Sequence, residues 1–178
     1  SYNEGDVVNP LNTYAKTKIL GEKVTLSTKN GLVLRVNIIG WTQEGRTSFA
    51  EWMLGGMIDN TTLNLFYDVY FSPLHVDKLS LIVGRIIKDP IYGLYHCVSS
   101  DSISKYDFGV QMAKVFRLSV SNINRVSVES MNFQAERPKN MALDSGKLAD
   151  KFKCSIPSAL DSIKLMKRQY DKNNNLLN

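Results

Sequence analysis

A nearly continuous apolar run from Leu32 to Ile39 constrains the fold of this chain more than any other feature of its sequence. Its residues, Leu-Val-Leu-Arg-Val-Asn-Ile-Ile, are typical of a strand that is covered on both faces, as in a parallel sheet. Ahead of it, Asn9 is a good N-cap, Pro10 suits a first helical position, and Gly31 is a stop signal. The sequence therefore predicts a helix from Pro10 to Lys29 followed by a parallel strand, the unit of an α/β fold.

Helical and strand patterns alternate along the rest of the chain. Apolar residues recur at helical spacing in segments such as 76–87, and Ser104 has the position of an N-cap with Asp107 three residues on. The tail from Asp171 to Asn178 is expected to fray. The further predicted helices are 49–58, 76–87, 104–116, 145–152 and 158–170, and the further predicted strands are 63–71, 92–98 and 123–128.

The composition excludes several classes of protein. Of 178 residues, 43% are hydrophobic and 22% charged, as in a globular chain with a core. The net charge of +5 comes from scattered basic residues without an aromatic-interleaved stripe, so we expect no nucleic-acid partner. No apolar run approaches ~18 residues, which predicts no membrane span. Cys97 and Cys154 lie far apart and form no Cys-x-x-Cys motif, which predicts a reducing, cytoplasmic setting. With His75 and His96 they form no cluster of metal-ligand spacing, so we expect no metal site.

The segment with the clearest chemistry is Tyr14-Ala15-Lys16-Thr17-Lys18. On a helix, Tyr14 and Lys18 share a face. A free tyrosine has a pKa near ~10, and an ammonium held beside a phenol favours the phenolate. Such a pair is a usable general acid for a carbonyl oxygen whose carbon receives hydride. The spacing alone is weak evidence for a catalytic pair, because aromatic and lysine residues are four positions apart on many surface helices.

Further segments in a fixed order make the motif specific. The chain resembles the extended short-chain dehydrogenase/reductase family, whose signature is Tyr-x-x-x-Lys, and more closely its branch of dTDP-4-dehydrorhamnose reductases, from about Tyr2 to the last helix. The resemblance implies an α/β fold, made of the C-terminal part of an NAD(P)-binding Rossmann-like fold and a small α/β substrate-binding lobe. Besides residues 9–18 and Gly21-Glu22, it rests on Leu34-Arg35-Val36, Pro73-Leu74-His75-Val76-Asp77, Gly93-Leu94-Tyr95-His96, Ser104-Lys105-Tyr106-Asp107-Phe108, Arg137-Pro138-Lys139-Asn140, Leu143-Asp144 and Lys147-Leu148.

The resemblance also implies a division of the chain. Residues 1–41 would end the Rossmann-like domain, 42–178 would mainly form the substrate-binding lobe, and 72–98 would return to the Rossmann-like sheet. The Gly-x-Gly-x-x-Gly turn that holds a pyrophosphate in such folds does not occur in this sequence. We therefore expect a C-terminal portion of a longer protein, whose N-terminal half binds most of the cofactor, NADP or NAD.

Four residues receive expected roles from the resemblance. Tyr14 would donate a proton to the substrate carbonyl, and Lys18 would hydrogen-bond the nicotinamide ribose and favour the phenolate of Tyr14. Asn37 and Ile38 would lie beside the nicotinamide. Tyr14 and Lys18 are thus the expected catalytic pair, and all four are expected cofactor contacts.

Three further residues are candidates for contact with the substrate. Arg137 would lie where a loop of the family approaches the nucleotide diphosphate, because a guanidinium binds phosphate oxygens in pairs. An arginine that fixes its own loop through backbone carbonyls is an equal alternative. Arg46 is a second candidate, although a solvated loop charge is favoured. Trp41 could stack on a base or sugar, and it follows Ile39-Gly40 where the branch usually has an aromatic residue and then Tyr-Gly.

Two interpretations, contact with a ligand or a structural role, are open for each of three further residues, Phe49, Trp52 and His75. Phe49 and Trp52 could stack on a ligand, but their helical spacing favours the core. His75 could contact substrate, but a junction between loop and helix, with Asp77 as the cap, is favoured.

The implied activity is NAD(P)H-dependent reduction of a 4-keto-6-deoxy sugar nucleotide. Two alternatives stay open. One is an epimerase or dehydratase that uses the same tyrosine and lysine, and the other is a non-catalytic relative that regulates another enzyme. The expected partner is a nucleotide-sugar substrate, with a homodimer left open.

Overall fold

A computed structural model describes residues 1–43 and 46–175 and shows alternating helices and short strands. The helices are α1 Thr13–Leu26, α2 Phe49–Ile58, α3 Val76–Lys88, α4 Lys105–Phe116, α5 Gly146–Phe152 and α6 Ala159–Asn175. The strands are β1 Leu32–Arg35, β2 Ile38–Ile39, β3 Leu63–Phe66, β4 Tyr70–Phe71, β5 Leu74–His75, β6 Gly93–His96, β7 Ile103–Ser104, β8 Ile123–Val126 and β9 Asn140–Met141. The predicted α/β class is confirmed.

Helix α1 begins three residues later than the sequence predicts. Asn12, rather than Asn9, is the N-cap, because its side-chain oxygen accepts a hydrogen bond of 3.0 Å from the backbone N–H of Ala15. The helix ends at Leu26 instead of Lys29. The chain then turns so tightly at Gly31 that a Cβ there would lie 1.9 Å from the carbonyl oxygen of Thr25.

The apolar run 32–39 forms two strands instead of one. β1 pairs in parallel with β6, and β2 pairs in parallel with β5. Asn37 interrupts the run because its polar groups serve another segment: its side-chain oxygen accepts from the N–H of Ser72, and its backbone carbonyl accepts from that of Leu74. The residues of β1 are half-buried, so the prediction of full cover on both faces is wrong within the described residues.

The remaining strands form two small sheets. β3 pairs in parallel with β8, while β4 lies between antiparallel β7 and parallel β9. The predicted strand 63–71 is therefore two strands with different neighbours. Ser104 caps α4 as predicted, accepting from the N–H of Asp107 at 3.0 Å.

Two clusters of buried side chains form the interior. The larger is centred on α2, α4 and α6 and includes Met53, Phe108, Met112 and Met166. The smaller lies around β6, α3 and α5 and includes Leu148.

The C-terminal segment is more regular than predicted. α6 continues to Asn175, with Lys167 and Asp171 paired one turn apart, so the expected fraying from Asp171 is wrong up to that residue. The end of the predicted tail, 176–178, lies outside the described residues. Among the helices of the described ranges, none has the length and apolarity to cross a membrane.

Candidate active site

Tyr14 and Lys18 lie on one exposed face of α1. The ammonium of Lys18 is 5.4 Å from the centroid of the Tyr14 ring, and 72% of Tyr14 is exposed. The predicted proximity of the pair is thus present in the structure. The phenol is open to a ligand, as proton transfer to a bound carbonyl requires.

An ion pair fixes the helix that carries these two residues. The guanidinium of Arg35 on β1 donates two hydrogen bonds, of 2.9 and 2.7 Å, to the two carboxylate oxygens of Glu22 on α1. The hydrogen bond to Glu22 raises the pKa of Arg35, against the effect of its partial burial. Both residues belong to the segments that carry the family resemblance, but the sequence did not indicate that they pair. The pair holds α1 against β1.

Arg137 and Tyr14 line the same cavity. Residues 11–14 form one wall of this space of about 450 Å³, and residues 134–137 form the other. The Arg137 guanidinium also stacks over the ring of Phe133, 5.2 Å from its centroid. The structure therefore brings together a phenol and a guanidinium that are remote in sequence.

Two further cavities adjoin this space and share lining residues with it or with each other. A cavity of about 370 Å³ shares Leu11 and residues 135–137 with the first and extends to Met131 and Phe133. A third, of about 320 Å³, shares Met131 and Phe133 with the second and ends among aromatic side chains. We call the three together the long groove. Its far end is lined by Phe49, Trp52, Phe66, Asn64 and Lys105.

Lys105 places a cation at the aromatic end of the long groove. Its ammonium lies 4.0 Å from the ring centroid of Phe49 and 3.5 Å from that of Phe71. Burial lowers the pKa of Lys105 to about 8. The sequence did not identify this residue as part of a site, since the first residue after an N-cap is usually solvated.

Phe49 and Trp52 combine both of their predicted interpretations. Phe49 packs against the core rings of Phe71 and Phe108, with ring centroids 6.1 and 6.4 Å away. Trp52, stacked on Phe49, is 46% exposed and lines the groove.

The two expected nicotinamide residues differ in their surroundings. The Asn37 side chain is engaged with the backbone, accepting from Ser72 and donating to the carbonyl of Val36. Ile38 is 51% exposed and leaves an apolar side chain free. Their role beside a nicotinamide stays a prediction.

Trp41 and Arg46 lie apart from the cavity of Tyr14. Trp41 stacks on Tyr170 with ring centroids 5.8 Å apart and lines a separate space of about 460 Å³ beside Val76. Arg46 is exposed, and its backbone carbonyl accepts a hydrogen bond from the hydroxyl of Thr42. Contact of either residue with substrate stays a prediction.

His75 is a buried junction between strand and helix. It is itself the N-cap of α3, where its Nδ1 accepts from the N–H of Asp77 at 3.1 Å, so the cap is the histidine and not Asp77. Burial lowers the pKa of His75, which keeps the ring neutral for this bond. Across the described ranges, His, Cys, Asp and Glu form no group that could hold a metal ion.

Comparison with known proteins identifies the class to which this fold and site belong. The arrangement is that of the extended short-chain dehydrogenases/reductases, as the sequence suggested. A family model described as "RmlD substrate binding domain" matches residues 1–171, and the chain belongs to this family.

Curated relatives and solved structures agree with this assignment. Methionine adenosyltransferase 2 subunit beta of Xenopus laevis is 32% identical over 155 residues, covering 83% of this chain and 46% of the relative. The dTDP-4-dehydrorhamnose reductase of Salmonella typhimurium is 27% identical over 168 residues, covering 88% and 55%. A structure of the Bacillus anthracis dTDP-4-dehydrorhamnose reductase in complex with NADP has a TM-score of 0.85 at 22% identity, covering 94% of this chain and 59% of that one. The chain thus spans about half the length of the curated relatives that it matches.

Proposed function

We propose that the full-length protein reduces a 4-keto-6-deoxy sugar nucleotide with NADPH or NADH, as a dTDP-4-dehydrorhamnose reductase does. The observation that carries the proposal is the position of Tyr14, beside Lys18 and in one cavity with Arg137. Tyr14 would donate its proton to the keto oxygen, and the ammonium of Lys18 would stabilise the resulting phenolate.

The shape of the long groove supports an elongated substrate. A sugar beside Tyr14 would have its diphosphate at Arg137, whose guanidinium can bind phosphate oxygens in pairs. The base would then reach the aromatic end, where Trp52 and Phe66 offer ring faces for stacking. Lys105 would donate to a carbonyl oxygen of the base, since an ammonium has only donors.

Part of the cofactor site fits the residues that are present. When bound, a reduced nicotinamide supplies hydride to the keto carbon. Lys18 is exposed and long enough to reach a ribose hydroxyl, and Ile38 offers apolar surface for a flat ring. Residues outside this chain would hold the pyrophosphate, because the glycine-rich turn is absent from this sequence.

The proposed division into domains follows the pairing of strands. Residues 1–41 would complete the Rossmann-like domain, and 72–98 would contribute to its sheet. The parallel pairs β1–β6 and β2–β5 and the smaller buried cluster support this division. The other residues of 42–178 would form the substrate-binding lobe. A homodimer and a cytoplasmic location stay predictions.

The test is the Tyr14→Phe variant of the full-length protein. It removes the phenolic proton but keeps the ring, so we expect kcat with a dTDP-4-keto-6-deoxy sugar to fall by about 100- to 10,000-fold. The Kd for NADPH is expected to stay unchanged. Tyr92→Phe, which alters another exposed tyrosine, is the matched control. Wild-type turnover in Tyr14→Phe would contradict the proposal.

A regulatory subunit is a second candidate function. It is favoured by the 32% identity to a protein named as a subunit of methionine adenosyltransferase. A wild-type protein that turns over no keto sugar but copurifies with a methionine adenosyltransferase would support this candidate.

An epimerase or dehydratase would instead retain its cofactor through purification, whereas a reductase releases it.

A further inference from the structure

Asn12 links the two walls of the cavity at Tyr14. Its side-chain oxygen accepts from the backbone N–H of Ala15 at 3.0 Å, which caps α1. Its side-chain amide donates to the backbone carbonyl of Glu136 at 3.1 Å. Glu136 directly precedes Arg137, and Tyr14 lies two residues after Asn12. One carboxamide therefore holds both the helix of the phenol and the loop of the guanidinium.

The irregular segment 131–139, which we call the Arg137 loop, has few other polar attachments near its centre. Within the described ranges, residues 132–138 make no hydrogen bond besides that from Asn12. Two aromatic contacts also involve this segment: the Phe133 ring lies 6.0 Å from that of Phe66 and beneath the guanidinium of Arg137. Asn12 thus supplies the hydrogen bond that joins residues 132–138 to the start of α1 within the described ranges.

We propose that Asn12 is a positioning residue, which sets the separation of Arg137 from Tyr14 so that a diphosphate bound at Arg137 brings its sugar within reach of the phenol. This inference rests on the proposed function. It explains why an asparagine suits this position better than other good N-caps. Serine, threonine and aspartate also cap a helix, but serine and threonine are shorter and an aspartate carboxylate has no proton to donate to Glu136.

Two substitutions separate the bond to the loop from the cap. Asn12→Asp and Asn12→Ser both keep an oxygen that can cap α1, and both remove the amide that reaches Glu136. Asn9→Ser changes an exposed asparagine in the same segment and is the matched control. Equal melting temperatures of the wild type and the two Asn12 variants would show that the fold and the cap are kept. If one of the two variants has a lower melting temperature than the wild type, the other variant is used for the test.

Hydrogen exchange tests the positioning without any need for turnover. In the full-length protein, we expect faster exchange of backbone amides 134–137 in both Asn12 variants and wild-type exchange of the amides of α1. Asn9→Ser is expected to leave both regions unchanged. Wild-type exchange of the Arg137 loop in both Asn12 variants would overturn the proposal, whatever the result of the Tyr14 test.

Ligand binding tests whether Asn12 acts through Arg137. We expect the Kd for dTDP to rise about 2- to 10-fold in the uncharged variant Asn12→Ser, as for the loss of one hydrogen bond. In a double-mutant cycle, the same substitution is expected to have no further effect in an Arg137→Ala background. An equal loss of affinity in both backgrounds would overturn the proposal. Non-additive binding of dTDP by a protein without reductase activity would support Asn12 and refute only the proposed reaction.

Discussion

Replacing Lys105 with methionine is expected to stabilise the fold, because it removes a charge from an aromatic environment. The Lys105 ammonium faces the rings of Phe49 and Phe71, and no carboxylate pairs with it among the described residues. Burial lowers its pKa from 10.5 to about 8. Methionine has a similar length and packs well against aromatic rings.

The magnitude follows from this shift in pKa. The shift corresponds to about 3 kcal/mol against the charged form at neutral pH. Solvent screening of the half-buried side chain reduces that cost, and attraction between the ammonium and the rings offsets about 1 kcal/mol of it. A net gain of about 1 to 2 kcal/mol in the free energy of unfolding is therefore expected for Lys105→Met, or roughly 2 to 8 °C in Tm.

The gain is expected to depend on pH. Since the pKa of Lys105 is lower in the folded state than in the unfolded state, its charge costs stability fully below about pH 8. As pH rises from about 8 to 10.5, the folded state loses this proton first, and the cost disappears. The advantage of Lys105→Met over the wild type is therefore expected to shrink across this window.

The assay is urea unfolding of the full-length protein at several pH values from 7 to about 10.5, which is the ordinary pKa of a lysine. Lys88→Met, which removes an exposed lysine at the end of α3, is the control and is expected to show little dependence on pH. A Lys105→Met protein that is less stable than the wild type at pH 7, or an advantage that is constant from pH 8 to 10.5, would refute the reasoning.

The remaining predictions concern packing and the cofactor. Gly56→Ala is expected to destabilise the fold by roughly 1 to 3 kcal/mol, because its Cβ would lie 2.6 Å from Cδ2 of the buried Leu63. Gly55→Ala, with nothing within 4 Å of its Cβ, is expected to stabilise α2 by about 0.5 to 1 kcal/mol, and equal effects of the two in chemical denaturation would contradict this reasoning. Calorimetry of the 178-residue chain with NADPH is expected to show no tight site. Micromolar binding would contradict the proposal that residues outside this chain hold the pyrophosphate.

Local patterns in the sequence were sufficient for the fold class and for the proximity of Tyr14 and Lys18. The β-branched run 32–39 predicted one parallel strand, where the structure has two, and Ser104 was correctly predicted as a cap. The four-residue spacing of Tyr14 and Lys18 predicted their shared face. These features depend on neighbours within a few residues, so their physical causes are visible in the sequence itself.

Only the tertiary structure decided how these parts are joined. Asn9 and Asn12 are both acceptable caps in sequence, and the loop at Glu136 shows that Asn12 has a second partner. Asn37 interrupts a run that is otherwise all strand, because it bonds to Ser72. The sequence assigned no role to Lys105, whose ammonium lies over two aromatic rings from other elements. In each case the deciding partner lies more than thirty residues away in the chain, where periodicity and spacing carry no information about contact.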